Sequence, residues 1–117
     1  MNQAAISRYI LVTGLNVDAA TDKKGALTKS ATEWMYTNYP KSTGDKQLEY
    51  QLLLKSSLDW TLVRVPLIEE TELKNEIKVS MSDCPGDRIS ATSLAVFLTE
   101  QLTSTAYIKQ SPFIANA

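Results

Sequence analysis

The sequence predicts an α/β protein whose strands run parallel and are covered by helices. Residues 9–13 and 60–65 are two continuous apolar and β-branched runs, a pattern typical of strands that are buried on both faces. Helix signals occupy residues 29–38 and 45–57 and begin again at Ser90. Alternation of buried strands with helices favours a parallel sheet joined by right-handed crossovers.

The first strand and its flanking segments come first along the chain. Residues 2–7 resemble the last turn of a helix, and Arg8 follows where a cation is favoured. The strand then runs from Tyr9 to Thr13, and Gly14 ends it. Residues 17–28 are polar and are predicted to form a loop.

Two helices are predicted between the buried strands. The first covers residues 29–38 and is closed by Pro40 and Gly44. Asp45 is a favourable N-cap for the second, which runs to about Ser57. The apolar stripe of this second helix consists of Leu48, Leu52, Leu53 and Leu54.

Shorter elements make up the rest of the chain. Pro66 ends the second buried strand because it cannot donate a hydrogen bond to the ladder. A strand with one wet face is predicted from the alternation of Ile77, Val79 and Met81. Residues 84–87 form a turn, and Ser90 caps a last helix whose apolar face consists of Leu94, Phe97, Leu98 and Leu102. Residues 107–108 and 113–114 are expected to form short strands or a packed tail.

Composition excludes several classes of function. The chain has 117 residues, room for one domain, and its net charge of -1 argues against nucleic acid as a partner. No apolar run approaches the roughly 20 residues that span a bilayer, so no membrane contact is expected. There is no histidine, which excludes His-based catalysis and histidine metal sites. A single cysteine, Cys84, and no signal peptide indicate a reducing, cytoplasmic location.

Three stretches are candidates for a functional site: residues 12–16, Asp45 with Lys46, and residues 64–68. Ligands of an open parallel sheet bind outside the carboxyl ends of its strands. The first and third stretches lie at that edge by chain direction alone. Arg64 stands inside an apolar strand, where a buried guanidinium needs either an acidic partner or a ligand.

A family resemblance follows from four pieces of sequence. They are the segments 8–14 (RYILVTG), Lys46 within a helix, 57–66 (SLDWTLVRVP) and 89–95 (ISATSLA), with the tail through Ile114. Together they resemble the atypical short-chain dehydrogenase/reductases, and within these the NAD(P)H-binding, NmrA-like proteins. The resemblance implies the C-terminal half of a Rossmann-type, doubly wound parallel sheet. Residues 1–117 would then be one partial domain, from which the N-terminal dinucleotide-binding half is absent.

The resemblance also implies roles for individual residues. Thr13 and Lys46 correspond to catalytic positions, and the lysine would contact the nicotinamide ribose. The residues expected to contact NAD(P) are Thr13, Gly14, Leu15, Lys46, Pro66, Leu67 and Ile68. For Lys46 an alternative stays open: it is an ordinary, solvent-exposed lysine of a helix and does not contact the cofactor.

Two departures from the family pattern bear on function. Ser42 stands four residues before Lys46, where the family has its catalytic tyrosine, and a serine hydroxyl is a poor proton donor. No glycine-rich turn occurs to place backbone N–H groups on a pyrophosphate. NAD(P) is therefore expected in the intact parent protein, with weak or no binding by this chain alone.

Three functions are compatible with these observations. The leading expectation is part of an NAD(P)-dependent oxidoreductase that acts on a small molecule and contributes the nicotinamide and substrate side of its site. The alternatives are a non-catalytic NAD(P)-sensing or protein-interaction module and an inactive fragment. Because the strand at residues 9–13 would lack one neighbour, a homodimer through its exposed sheet edge is expected.

Overall fold

The architecture combines three helices with six strands in the part of the chain that the computed structural model describes, residues 8–71 and 76–116. The predicted helix end at residues 2–7 lies outside the described residues. The helices are α1 (Ala26–Asn38), α2 (Pro40–Lys55) and α3 (Ala91–Gln101). The strands are β1 (Arg8–Gly14), β2 (Asp59–Val65), β3 (Leu67–Glu69), β4 (Ile77–Ser80), β5 (Arg88–Ser90) and β6 (Phe113–Asn116).

The main sheet has the strand order β1-β2-β6-β4. β1 and β2 are parallel and pair residue for residue, from Arg8 opposite Asp59 to Gly14 opposite Val65. β6 is parallel to β2, whereas β4 runs antiparallel to β6. β3 and β5 form a separate pair of parallel strands. The predicted α/β class with a mainly parallel sheet is confirmed.

Helices cover both faces of the main sheet. On one face Trp60 and Leu62 of β2 join Tyr50 and Leu53 of α2 in a buried cluster. On the other face the buried side chains of β2, β5, α3 and β6 form a second cluster, made of Val63, Val65, Ile89, Leu94, Phe97 and Ile114. Side chains that alternate along β2 therefore serve two cores, as the continuous apolar run predicted.

The start of α2 differs from the prediction. Asp45 is not an N-cap, because α2 already begins at Pro40, with Tyr39 in the capping position. Pro40 suits the first helical position, where its missing N–H would have no partner and its fixed φ is already helical. Gly44 lies within α2 and does not close the preceding helix; a methyl group there would meet nothing within 4 Å.

The predicted leucine stripe of α2 is also wrong in most of its members. Leu48, Leu52 and Leu54 are 58%, 69% and 54% exposed. The buried face of α2 consists instead of Thr43, Tyr50 and Leu53. Three consecutive leucines point in three directions around a helix, so their sequence alone does not select the buried face.

The last helix agrees with the prediction at its start. Ser90 is the N-cap of α3, and its Oγ accepts the backbone N–H of Ser93 at 3.0 Å. Leu94 and Phe97 are buried as expected, but Leu102 lies past the helix end and is 65% exposed. Within the residues described, no helix combines the length and the apolar character needed to cross a membrane.

Candidate functional site: a cleft at the carboxyl ends of β1 and β2

A cleft opens where β1 and β2 end side by side, with α1 as its outer wall. Its inner cavity has a volume of about 460 Å³. The apolar lining of this cavity comes from Leu15, Ala31, Trp34, Met35, Pro66 and Leu67. An outer cavity of about 810 Å³ shares Leu15, Ala31, Pro66 and Leu67 with it and extends to the turn at residues 83–87. Both volumes fall within the size range of small-molecule sites.

Two buried polar atoms near the carboxyl end of β1 have no hydrogen-bond partner within the described residues. Thr13, within the last two residues of β1, is 7% exposed, and Asn16, two residues after β1 ends, is 3% exposed. Within the described residues, Thr13 Oγ1 and Asn16 Nδ2 make no hydrogen bond. Buried polar groups are nearly always paired, so two orphaned atoms at one end of a cleft mark it as a candidate ligand site.

Gly14 leaves room for the side chain of Asn16. A methyl group added at Gly14 would collide with the side-chain oxygen of Asn16, which lies against the glycine Cα. Absence of a Cβ therefore lets the Asn16 carboxamide fold back over the end of β1. The same glycine and asparagine both line the inner cavity.

Arg64 of β2 holds together the segments behind the cleft. The guanidinium is fully buried and donates to the carbonyl oxygens of Ser111 at 2.6 and 2.9 Å and of Val17 at 2.9 Å. Its Nη1 also lies 2.8 and 2.9 Å from the two carboxylate oxygens of Asp22. The guanidinium carbon stands 3.7 Å from the centre of the Phe113 ring.

Burial lowers the pKa of Arg64, and the neighbouring Asp22 counteracts this effect. Of the two readings left open by the sequence, pairing of Arg64 with an acidic residue is the one observed. The arginine fixes the loop after β1 against the strand and does not face the cleft. Its role is structural.

Asp83 anchors the outer wall by bonding the start of α1 from a distant turn. Its Oδ1 accepts from Thr28 Oγ1 at 2.6 Å and from the backbone N–H of Cys84 at 2.9 Å. Burial raises the pKa of Asp83, but hydrogen bonds from Thr28 and from the Gly25 and Cys84 backbones outweigh it, so the pKa lies below its ordinary value. A carboxylate at this helix N-terminus also complements the helix dipole.

Cys84 lines the outer cavity beside Asp83. Burial raises the pKa of its thiol, and Sγ donates to the carbonyl oxygen of Gly86 at 3.1 Å. A thiol whose pKa is raised is a weak nucleophile at neutral pH. These contacts are those of a structural thiol.

The structure brings together four of the residues predicted for the site. Gly14, Leu15, Pro66 and Leu67 all line the inner cavity. Thr13 is buried directly behind them.

The other two predicted residues lie apart from the cleft. Lys46 is exposed on α2 and lines neither cavity. Ile68 is 43% exposed on β3 and also lies outside the lining. The assignment of these residues to NAD(P) stays a prediction.

Sequence reasoning missed the residue next to Lys46. Gln47 accepts the backbone N–H of Asp18 at 2.8 Å and donates to the Asp18 carbonyl at 2.8 Å. It thereby ties α2 to the loop after β1. The sequence does contain a signal for this contact. The spacing of Thr43, Gln47 and Tyr50 places them on one face of a helix.

Asp83 was also not singled out for the cleft. Trp34 lines the inner cavity, and its ring lies 5.8 Å from that of Tyr39. Asp83 is far from α1 in sequence, so no local pattern indicates that it bonds Thr28 of this helix. Across the described residues, no group of three or more potential metal ligands comes together.

Parallel strands, helices on both faces and a cleft at the carboxyl ends of the strands define a Rossmann-type NAD(P)-binding protein. Residues 1–105 match the NAD(P)H-binding family, and the chain belongs to that family. No curated protein sequence matches it. The predicted relation to NAD(P)-binding reductases is confirmed at this level.

Solved structures show the same fold at low sequence identity. An anaerobillin reductase, ChuY of Escherichia coli O157:H7, superposes with a TM-score of 0.75 at 20% identity, over 98% of this chain and 52% of that one. The oxidoreductase YlbE of Lactococcus lactis gives 0.68 at 17% identity, over 99% and 49%.

A third match is a short-chain dehydrogenase/reductase of Veillonella parvula in complex with NADP. It gives a TM-score of 0.61 at 16% identity, over 93% of this chain and 49% of that one. The chain thus spans about half the length of these structures.

Proposed function

We propose that this chain contributes the nicotinamide and substrate side of an NAD(P)-dependent oxidoreductase site. The observation that carries the proposal is the inner cavity, because Gly14, Leu15, Pro66 and Leu67 were predicted from the family resemblance and line one apolar cavity. Within the family we propose kinship with the NmrA-like proteins, on the segment 57–66. Cys84, a free thiol, supports a reducing cytoplasmic location.

The residues present fit the nicotinamide end of a dinucleotide. A flat aromatic ring matches an apolar cavity, and the orphaned Asn16 Nδ2 offers a hydrogen bond to a polar substituent. When bound, the nicotinamide supplies hydride transfer to or from a small substrate. The chain's own part is to exclude water with Leu15, Trp34 and Leu67 and to orient the ring.

The pyrophosphate end has no counterpart in this sequence. The glycines are Gly14, Gly25, Gly44 and Gly86, and none of them forms part of a glycine-rich strand-to-helix turn. We therefore propose that a complete cofactor site needs a second segment that provides this turn. Without that segment, NAD(P) affinity is expected to be weak or absent.

Half-cofactor ligands test the proposal. Millimolar nicotinamide mononucleotide should shift the backbone amide signals of Gly14, Leu15 and Leu67 in a ¹⁵N-labelled sample. AMP, which carries the other half of the dinucleotide, should leave these signals in place. No shift with nicotinamide mononucleotide, or equal shifts with AMP, would reject the proposal.

Micromolar binding of NADPH by this chain alone would contradict the expected need for a second segment. Isothermal titration measures it directly. Catalysis is tested by adding NADPH and small aromatic carbonyl compounds to a longer polypeptide that contains the glycine-rich turn. Loss of NADPH absorbance is the expected result.

A non-catalytic, NAD(P)-sensing role is the second candidate. Ser42 at the tyrosine position favours it, as does the place of Lys46, exposed and away from both cavities. A sensing protein would bind nicotinamide mononucleotide at the same amides and leave NADPH unconsumed with every carbonyl compound tried.

We also propose that the chain forms a homodimer through β1. Within the described residues, β1 pairs only with β2, so the other side of β1 is an open edge. Open edges of apolar strands favour pairing with another strand. Sedimentation at several concentrations should show a dimer, and Val12→Lys should shift it to monomer. A strict monomer up to high micromolar concentration would reject this proposal.

A further inference from the structure

The side-chain amide of Asn16 is a buried donor without a partner. The residue is 3% exposed, and its Nδ2 makes no hydrogen bond within the described part of the chain. A buried unpaired N–H group costs free energy, because it loses its bonds to water and gains none. A protein can retain such a donor when a bound ligand supplies the missing acceptor.

The position of this amide is set by its neighbours. Asn16 lies two residues after Gly14, the last residue of β1. Its side-chain oxygen lies close to the position that a Cβ of Gly14 would occupy. Any other residue at position 14 would displace the carboxamide. Asn16 lines the inner cavity, whose wall also includes Pro66 and Trp34.

The chemistry of the cavity wall narrows the choice of ligand. The inner cavity is lined by apolar groups apart from the Asn16 amide and the Trp34 ring, and no lysine or arginine belongs to its lining. A carboxylate or phosphate would lack a cationic partner there. A neutral carbonyl oxygen suits a neutral amide donor, and Trp34 and Pro66 offer apolar surfaces to a flat ring.

We infer that Asn16 is the hydrogen-bond donor of a subsite for a planar ring that carries a carbonyl oxygen. The inference rests on the proposed function and deepens it. The carbonyl belongs either to the carboxamide of nicotinamide or to a cyclic or aromatic ketone substrate. Asn16 positions that oxygen and thereby the ring next to it.

The amide protons of Asn16 allow a direct test. The ¹⁵N-labelled full chain is titrated with acetophenone, with nicotinamide mononucleotide and with ethylbenzene, which has no oxygen. Downfield shifts of the Asn16 side-chain protons with either carbonyl probe support the subsite, and the more effective probe identifies the source of the oxygen. Ethylbenzene should move the Leu67 amide but not the Asn16 side-chain protons.

The same spectra separate this inference from the proposed function. If Gly14 and Leu67 amides shift with nicotinamide mononucleotide while the Asn16 side-chain protons stay unchanged with both carbonyl probes, the proposed function stands and the subsite is overturned. The subsite is also overturned if, at a saturating concentration of probe, the Asn16 side-chain protons contact water and not the probe. Absence of every shift would reject both.

Variants provide an independent readout. Asn16→Ala should weaken acetophenone binding about five- to tenfold, the effect of one hydrogen bond. Asn38→Ala is the matched control, because Asn38 is exposed and donates a hydrogen bond within α1, to the carbonyl of Trp34. It should leave the affinity unchanged.

Asn16→Asp replaces the donor with an acceptor in nearly the same shape. This variant should prefer 1-phenylethanol, whose hydroxyl can donate, over acetophenone, whereas the wild type prefers the ketone. If Asn16 had only a structural role, Asn16→Asp would lower the affinity for acetophenone and for 1-phenylethanol equally. That result would overturn the inference. Should the variants fail to fold, the shifts of the wild-type Asn16 protons still decide the question.

Discussion

β1 and β2 are strands of equal length that pair residue for residue, yet they are buried to different degrees. β2 is buried from Trp60 to Val65, whereas Thr13 is the one residue of β1 that is buried. Their sequences do not explain this, since Leu11 and Val12 stand opposite Leu62 and Val63. The difference lies in their neighbours: β2 has β1 and β6 beside it, and β1 has β2.

An apolar run therefore indicates the environment that suits a strand, and not the position that the strand occupies in the sheet. β1 carries the composition of a central strand and occupies an edge in the described part of the chain. It is anchored at its start, where Arg8 donates to the carbonyls of Asp59 at 2.7 Å and Gln101 at 3.0 Å. Its other end forms the cleft. The stable core therefore lies at β2, and the site lies at its border.

The largest effect is expected at the centre of β2. Arg64→Ala should lower the free energy of unfolding by about 3–5 kcal/mol, because it leaves Asp22 and the carbonyls of Ser111 and Val17 without their buried partner. Arg88→Ala removes an exposed ion pair with Glu69 and should cost less than about 1 kcal/mol. Urea unfolding of both variants measures the contrast; similar losses would contradict the central role of Arg64.

The paired leucines test the two strands directly. Leu62→Ala should destabilise the chain by about 2–5 kcal/mol, because Leu62 is 1% exposed and truncation leaves a cavity. Leu11→Ala, directly opposite, should cost about 1 kcal/mol, since its half-buried side chain loses less contact. The midpoints of chemical unfolding decide between them. Equal costs would mean that β1 is covered in solution, as in the proposed dimer.

On the cleft side, Asp83→Asn should cost about 1 kcal/mol near neutral pH, because it weakens the hydrogen bonds from Thr28 and Cys84 to the carboxylate. The folded-state pKa of Asp83 lies below the ordinary value of 3.8, so its contribution is present above that value and is lost as pH falls through the folded-state pKa. The stability difference between wild type and variant should therefore vanish in strong acid. Asp87→Asn, at a side chain that is 88% exposed, is the control and should show no such trend.

The smallest effect is expected at Lys46. If it reaches the cofactor in a longer protein that binds NAD(P), Lys46→Ala should weaken binding up to about fivefold, the range of an exposed charge interaction. Lys29→Ala is the control, because Lys29 is an exposed lysine of α1 and was not predicted to contact the cofactor. Equal dissociation constants for the two variants would remove Lys46 from the site.

Local chemistry in the sequence predicted much of the framework. The β-branched runs of β1 and β2, Pro66 after β2 and Ser90 before α3 each act on their own residues or near neighbours. Such signals can be read from a single chain because steric and capping preferences are short-ranged. Family resemblance then supplied four residues of the cleft.

Tertiary structure alone decided the rest. Asp83 bonds Thr28 of α1 across 55 residues, Arg64 pairs with Asp22, and α2 buries Tyr50 while Leu48 stays exposed. Each of these outcomes depends on which distant group arrives at a given distance, and burial and electrostatics act through space. The sequence by itself determined the order and kind of the main elements, whereas long-range contacts decided which faces are buried and which polar atom of the cleft is left for a ligand.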